Sequence, residues 1–310
     1  MGMKILLTGG TGLIGRALCR RWAGDGHHLI VWSRRPKEVP ALCSGARGVA
    51  RLEEIDDVDT PDAVVNLAGA PIADRPWSAA RKKLLWDSRV ALTRELVQWL
   101  GCLPLPPRVL LSGSAAGWYG DRGEQSIDET DTTGGSPGDF GSRLCAAWED
   151  EARRAQTAHT RVVLLRTASV LAAQGGMLAR LRLPFRLGLG GRLGSGRQWL
   201  PWIHLDDATG LIDFLLEHED CRGPYNICAP RSVRNADFTR ALAASLRRPA
   251  CLPVPAWALR LGLGEMSGLL LGGQRLLARR ADEAGYRFQF PDLDAALRDL
   301  AGRSLHPPCA

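Results

Sequence analysis

An apolar run that stops in glycines constrains this chain more than any other feature. Met3-Lys-Ile-Leu-Leu-Thr8 reads as a buried strand, Gly9-Gly-Thr-Gly12-Leu-Ile-Gly15 follows at once, and Leu13 to Ala23 reads as a helix. Glycine permits a tight turn there and lets an anion come close to the backbone. The following helix offers unpaired N–H groups and the positive end of its dipole at the same place. The spacing is G-x-x-G-x-x-G, and its position after the first strand of a 310-residue chain makes it a dinucleotide-binding signal. Gly9, Thr11, Gly12, Leu13, Ile14 and Gly15 are the expected phosphate cradle.

The rest of the pattern supports a doubly wound parallel α/β sheet, because strand-like and helix-like segments alternate. His28 to Ser33, Ala63 to Leu67, Arg108 to Ser112, Arg161 to Arg166 and Tyr225 to Ala229 read as strands. Helices are expected over Trp77 to Leu100, Phe140 to Thr157 and Leu205 to Glu219. Further helices are expected over Asn235 to Leu246, Trp257 to Leu263 and Leu293 to Leu300. Leu187 to Gly196 is too rich in glycine to pack a core; it reads either as a loop that approaches something closely or as a flexible connector. The expected organisation is a nucleotide-binding domain over residues 1–170, completed by 202–229. Residues 171–201 and 230–310 then form a smaller, mainly helical substrate-side domain.

Composition narrows the function classes. No run reaches the roughly 18 apolar residues of a membrane span, so no membrane partner is expected. The chain enters its first strand at once, from which we expect no secretion signal. The eight cysteines are scattered, without CxxC spacing or a zinc-like Cys/His cluster, which fits reduced thiols in the cytoplasm and no metal. The net charge of +7 is carried mostly by arginine. No basic run has interleaved aromatics, so nucleic acid is not the expected partner. A polyphosphate ligand accounts for part of the charge.

The end of the second strand discriminates between dinucleotides: an acid there serves the ribose hydroxyl of NAD, a base the 2′-phosphate of NADP. Here the strand ends Trp32-Ser33-Arg34-Arg35-Pro36, without an acid. Arg34 can fork onto a phosphate, Ser33 can donate to it, and Arg35 is placed to cover the adenine. NADP(H) is the expected cofactor. Asn66-Leu67-Ala68-Gly69 closes a buried strand with a small tip, so Leu67, Ala68 and Gly69 are expected to line the same ligand.

With Ser112-Gly-Ser-Ala-Ala-Gly-Trp-Tyr-Gly120 added, these motifs resemble the extended short-chain dehydrogenases/reductases, the superfamily of nucleotide-sugar epimerases. More narrowly, the chain resembles the atypical "epimerase family protein" subgroup. Asp87-Ser-Arg89, Pro184 to Gly191, Gly194-Ser-Gly-Arg-Gln-Trp199, Trp202-Ile-His204-Leu-Asp-Asp207 and Gly223-Pro-Tyr-Asn226 carry that match, and the part from about Pro253 to Leu300 resembles its small helical ending. The resemblance implies Arg89 at the cofactor phosphates and Val170 near the nicotinamide. It also implies Arg197 against an anionic part of a small-molecule substrate.

One departure stands out. The superfamily exchanges a proton through Tyr-x-x-x-Lys, assisted by a serine. Here Phe140 and Leu144 hold the tyrosine and lysine places, with Arg143 just before the latter. Ser114 takes the serine place. Of the three tyrosines, Tyr119 is the one positioned to stand in as acid/base, with packing or a turn as its other reading. His204 before Asp206-Asp207 has no Gly-x-Ser-x-Gly elbow to make a triad, and Asp206 or Asp207 is expected as a helix N-cap. Two functions follow: an NADP(H)-dependent oxidoreductase or epimerase acting on a small carbonyl or sugar-like compound, or a non-catalytic NADP(H)-binding sensor or scaffold. A monomer or homodimer is expected.

Overall fold

The structure is a computed structural model and describes residues 2–303; Cys309 and the end of the expected substrate-side piece, 304–310, lie outside the described residues. Strands β1 (Lys4–Thr8), β2 (His28–Trp32), β3 (Arg47–Val49), β4 (Ala63–Asn66), β5 (Val109–Ala115), β7 (Arg161–Thr167) and β11 (Gly223–Ile227) form one sheet. Three short pairs complete the strands: β6 (Ser126–Ile127) with β13 (Arg275–Leu276), β8 (Ser169–Leu171) with β10 (Trp202–His204), and β9 (Trp199–Leu200) with β12 (Val233–Arg234). The large sheet has seven strands in the order β11-β7-β5-β4-β1-β2-β3, and every pairing in it is parallel.

Parallel strands covered on both faces must be apolar on both faces, and these are. Ile5, Leu7, Val65, Leu111, Val163 and Leu165 point into one core, shared with the helices Leu13–Gly24 and Leu205–Glu217. Leu6, Val64, Leu110, Val162 and Leu164 point into the other, against Leu96, Leu100 and Ala152 of the helices Leu92–Leu100 and Phe140–Arg153. From β1 the chain moves outward to β2 and β3, then returns to lay β4 on the other side of β1. That reversal opens a crevice at the carboxyl ends of β1 and β4, where sheets of this order bind ligands.

Several boundaries differ from the expected ones for local reasons. The long helix is two helices, Ala79–Trp86 and Leu92–Leu100, joined by a π-helical turn at Asp87–Ala91. β5 continues to Ala115, because Gly113, Ser114 and Ala115 pair with Leu165, Arg166 and Thr167 of β7. β3 carries little signal of its own, being three residues long with Arg47 and Gly48 in it. A helix at Gly176–Arg186 forms with Pro184 inside it.

The glycine-rich segment is not a flexible connector. The amide of Leu252 donates to Gly190 O at 3.1 Å, that of Val254 to Arg192 O at 2.9 Å, and that of Gly194 to Val254 O at 2.8 Å. A β-carbon on Gly191 would lie 1.8 Å from Leu252 O, so glycine is what lets the two backbones meet. This ribbon fastens the C-terminal part to a third core of Leu171, Leu178, Phe185, Trp202, Phe238, Leu242, Leu293 and Leu297. Two exposed ion pairs, Arg180–Asp74 and Lys82–Glu265, bridge this region to the half built on the large sheet.

Candidate functional site

At the crevice the glycine turn is packed backbone against backbone. Gly9 has φ +71°, and a β-carbon there would lie 2.6 Å from Leu67 O and 2.9 Å from Ala68 N. One on Gly15 would lie 2.4 Å from Gly9 O. Gly12 is the helix N-cap: it is exposed, no side chain caps the helix, and the first turn holds no acid. The leading N–H groups are thus left for an anion. Thr11 is half-buried and its carbonyl accepts Arg16 Nε at 2.8 Å. Ile14 packs into the core beneath the turn. Leu13 reaches the loop after β8: β-carbons on Gly175 and Gly176 would meet its side chain at 3.3 Å, and that on Gly176 would also meet Val170 O at 3.2 Å. Leu13 and Val170 therefore flank one glycine pair.

A buried polar chain sets the spacing of β1 and β4. Thr8 Oγ1 donates to Asn66 Oδ1 at 2.6 Å and accepts the amide of Ala68 at 3.0 Å. Asn66 Nδ2 donates to Thr93 Oγ1 at 2.7 Å and to Ser112 Oγ at 3.2 Å. Arg89 lies beneath the Leu67-Ala68-Gly69 tip; its Nη2 donates to Ala70 O at 2.9 Å, and a β-carbon on Gly69 would lie 2.8 Å from its guanidinium carbon. Burial lowers the pKa of Arg89 below the usual guanidinium value.

At the end of β2 the two arginines differ. Arg35 is paired with Glu38 at 3.0 Å. Arg34 is exposed and has no hydrogen-bond or ion-pair partner among the described residues. Ser33 Oγ accepts the amide of Arg35 at 3.1 Å, which leaves its own proton free to donate.

The expected catalytic hydroxyls are turned inward. Ser114 is buried and its Oγ donates to Glu149 Oε1 at 2.7 Å. Glu149 receives Arg166 through two bonds of 2.9 and 3.0 Å, and Arg153 Nη2 at 2.8 Å. The Arg166 guanidinium lies 3.4 Å from the Trp118 ring and 4.8 Å from the Tyr119 ring. Burial pulls the Arg166 pKa down, but hydrogen bonds and charge from Glu149 outweigh it and raise the net value. Tyr119 is fully buried and its hydroxyl donates to Asn226 Oδ1 at 2.9 Å. Burial pushes its pKa up to about 12, against the pull of Arg166. Of the two readings of Tyr119, packing is the one its surroundings match. Phe140 and Leu144 are buried with Leu85, Val90 and Trp148 in an apolar cluster that also takes in Trp77, so the tyrosine and lysine places serve as core.

On the other side, Arg197 is exposed and its side chain is unpaired among the described residues. Close to it in sequence, the Trp199 ring has two guanidiniums over it, Arg234 at 4.1 Å and Arg275 at 4.8 Å, while Glu124 accepts Arg234 at 2.6 and 2.7 Å. The Glu149–Arg166 pair and this Trp199 group escape sequence reading. Their members lie far apart in the chain, and the only local sign is an arginine closing the apolar strand at Arg166. The N-cap expectation is also corrected. His204, not Asp206 or Asp207, caps the helix, its Nδ1 accepting the Asp206 amide at 3.1 Å. Asp207 instead accepts the amides of Gln289 and Phe290 at 2.7 and 2.9 Å, and Asp206 pairs with Arg303.

Comparison with known proteins agrees with this fold. A family model described as the NAD dependent epimerase/dehydratase family matches residues 5–228, and one described as a domain of unknown function, DUF1731, matches 254–300. The epimerase family protein SDR39U1 of Mus musculus is 38% identical over 303 residues, 96% of this chain and 99% of the relative. YfhF of Bacillus subtilis, also an epimerase family protein, is 36% identical over 306 residues, 96% of this chain and 98% of its own. The crystal structure of human SDR39U1 (isoform 2) with NADPH superposes with a TM-score of 0.88 at 35% identity, covering 97% of this chain and 99% of that one. The chain belongs to the NAD dependent epimerase/dehydratase family, among its epimerase family proteins.

Proposed function

We propose that this chain binds NADP(H) across the carboxyl ends of β1 and β4. The pyrophosphate is assigned to the start of the helix Leu13–Gly24, and the 2′-phosphate to Ser33 and Arg34. One observation carries the reading: Arg34 stands exposed and unpaired at the end of β2, where an NAD site uses a carboxylate. The residues fit such a group, since the uncapped helix end and the turn that admits no β-carbon at Gly9 or Gly15 leave backbone donors open. Leu67, Ala68 and Gly69 are assigned to the rim, Arg35 to the adenine side, Arg89 to the phosphate side and Val170 to the nicotinamide side. The NADPH in the human relative supports the choice of cofactor.

When bound, NADPH supplies a hydride. We read the chain as an oxidoreductase acting on a small carbonyl or sugar-like compound held between the nucleotide half and a substrate-side lobe of 171–201 and 230–303, with Arg197 on its anionic part. The retained lobe and the unpaired Arg197 support this. A non-catalytic sensor or scaffold is favoured by the inward hydroxyls of Ser114 and Tyr119 and by the apolar burial of Phe140 and Leu144. Sugar epimerisation fits least, because it leans on the missing tyrosine. The unbridged cysteines among the described residues support a reducing compartment such as the cytoplasm.

Calorimetric titration of the purified protein with NADPH and NADH tests the site. Arg34→Ala is expected to weaken NADPH by about tenfold to a hundredfold, the loss of charge-assisted bonds, while NADH changes little. Unchanged NADPH affinity would remove the assignment at β2. Absorbance loss with NADPH and a panel of carbonyl compounds then separates the two roles: turnover supports the oxidoreductase, tight binding without turnover the sensor or scaffold.

A further inference from the structure

The sequence holds no acidic residue between Glu151 and Asp206, and none between Asp237 and Glu265. The fold brings these two stretches together, since the ribbon of Gly190 to Gly194 with Leu252 to Val254 joins one to the other. The joined surface exposes large apolar side chains: Leu183 is 65% exposed, Leu187 64%, Leu189 56%, Leu252 50%, Trp257 68% and Leu261 82%. Trp257 and Leu261 stand one turn apart on the helix Ala256–Leu263, which buries none of its residues fully. The same two stretches carry Arg186, Arg247, Arg248 and Arg260, whose side chains are exposed and unpaired among the described residues. Leucines and a tryptophan at such exposure, on joined stretches that carry free cations and no acid, mark a contact surface.

We propose that this face docks on an anionic lipid bilayer, lying in the headgroup region without crossing it. The charge selects the occupant. A second copy across a two-fold axis brings the same acid-free, cationic stretches to the contact, so no carboxylate in them answers the arginines. A bilayer bearing acidic headgroups takes both parts: the arginines meet the headgroups, while Trp257 and the leucines enter the acyl boundary. No helix among the described residues is long and apolar enough to cross a membrane, and surface docking requires none. The expectation of no membrane partner rested on that absence alone. The inference is independent of what the crevice binds.

The test is co-sedimentation of the full chain with extruded vesicles, of phosphatidylcholine alone or mixed with phosphatidylglycerol, at low ionic strength. Binding is expected on the mixed vesicles only, and it weakens as salt screens the charges. The Trp257→Glu/Leu261→Glu and Arg247→Glu/Arg248→Glu variants are each expected to lose about tenfold or more in affinity. Unchanged thermal unfolding and NADPH titration show that each variant is folded. Failure to bind mixed vesicles, equal binding to both vesicle types, or binding retained in both folded variants overturns the proposal. So does a dimer, seen by light scattering, that Trp257→Glu/Leu261→Glu abolishes, because the face is then an interface between copies.

Discussion

Gly15 and Gly9 meet through backbone alone: a β-carbon on Gly15 would stand 2.4 Å from the Gly9 carbonyl oxygen and 2.6 Å from the Gly10 α-carbon. The clash is with main chain, which cannot rotate away. Gly15→Ala is therefore expected to destabilise the protein by about 1–3 kcal/mol, as overpacking does, and to weaken NADPH as the turn is displaced. Gly24→Ala is the control, since a β-carbon at the far end of the same helix meets nothing within 4 Å. Thermal unfolding and NADPH titration check both; a Gly15→Ala protein that melts and binds like the parent would refute the close packing.

The buried pair of Glu149 and Arg166 sets a second expectation. Removing one partner leaves the other's charge buried, which typically costs about 3–5 kcal/mol. Glu149→Ala should lower the unfolding free energy extrapolated from urea titration by that much. Ser114→Ala removes one hydrogen bond, about 1 kcal/mol, and leaves the ion pair in place. Equal effects of the two would mean that Glu149 serves mainly as the acceptor for Ser114.

Restoring the usual residues should not restore the usual chemistry. Leu144 is 2% exposed and packs with Phe140, Leu85, Val90 and Trp148. A lysine ammonium there is buried without a carboxylate, at about 3 kcal/mol or more. Phe140→Tyr/Leu144→Lys is expected to melt at a lower temperature and to oxidise no NADPH with carbonyl compounds beyond the parent rate. A stable double variant with new turnover would show that these positions face the crevice.

The histidine cap predicts a pH effect. His204 Nε2 lies 3.2 Å from Asp299 Oδ2 while Nδ1 accepts a backbone amide, so the neutral ring with its proton on Nε2 fits both. Burial lowers its pKa below the ordinary 6.5, although Asp206 and Asp299 pull it up. As pH falls, the unfolded chain takes the proton first. The stability associated with this group is complete above the ordinary value and is lost as pH falls from there through the folded value. His204→Asn keeps a capping side chain and should flatten this decline. Melting temperatures between about pH 8 and pH 5 check it, across the range in which histidine titrates; parallel curves would assign the slope to other groups.

What was legible in the sequence is what rests on short-range pattern. The glycine turn, the apolar strands and the basic end at Ser33-Arg34 are each written in a few consecutive residues. Their physical causes, φ at Gly9, two-sided burial and the absence of an acid, act at the same short range. The inward turn of Ser114 was not legible, because its partner Glu149 is 35 residues away on another element. The role of Gly191 was half legible: glycine announced a close approach, but the approaching backbone at Leu252 is set by tertiary pairing. His204 as cap was missed because aspartate is the commoner cap and both aspartates were already committed, to Arg303 and to the backbone of Gln289 and Phe290.

The third core draws on both ends of the latter half of the chain, Leu178 and Phe185 from one helix and Leu293, Leu297 and Leu300 from the helix Leu293–Arg303. The sheet receives its final strand at Gly223–Ile227, well before those leucines are made. On the ribosome the seven strands can therefore pair while Leu178, Phe185 and Trp202 still wait for their cover, and one face of the sheet still waits for Leu276, Ala278, Ala281 and Tyr286. A nascent chain with every strand of the large sheet made still has two apolar surfaces uncovered. The order of synthesis leaves these surfaces open to chaperones and proteases until the helix Leu293–Arg303 is made.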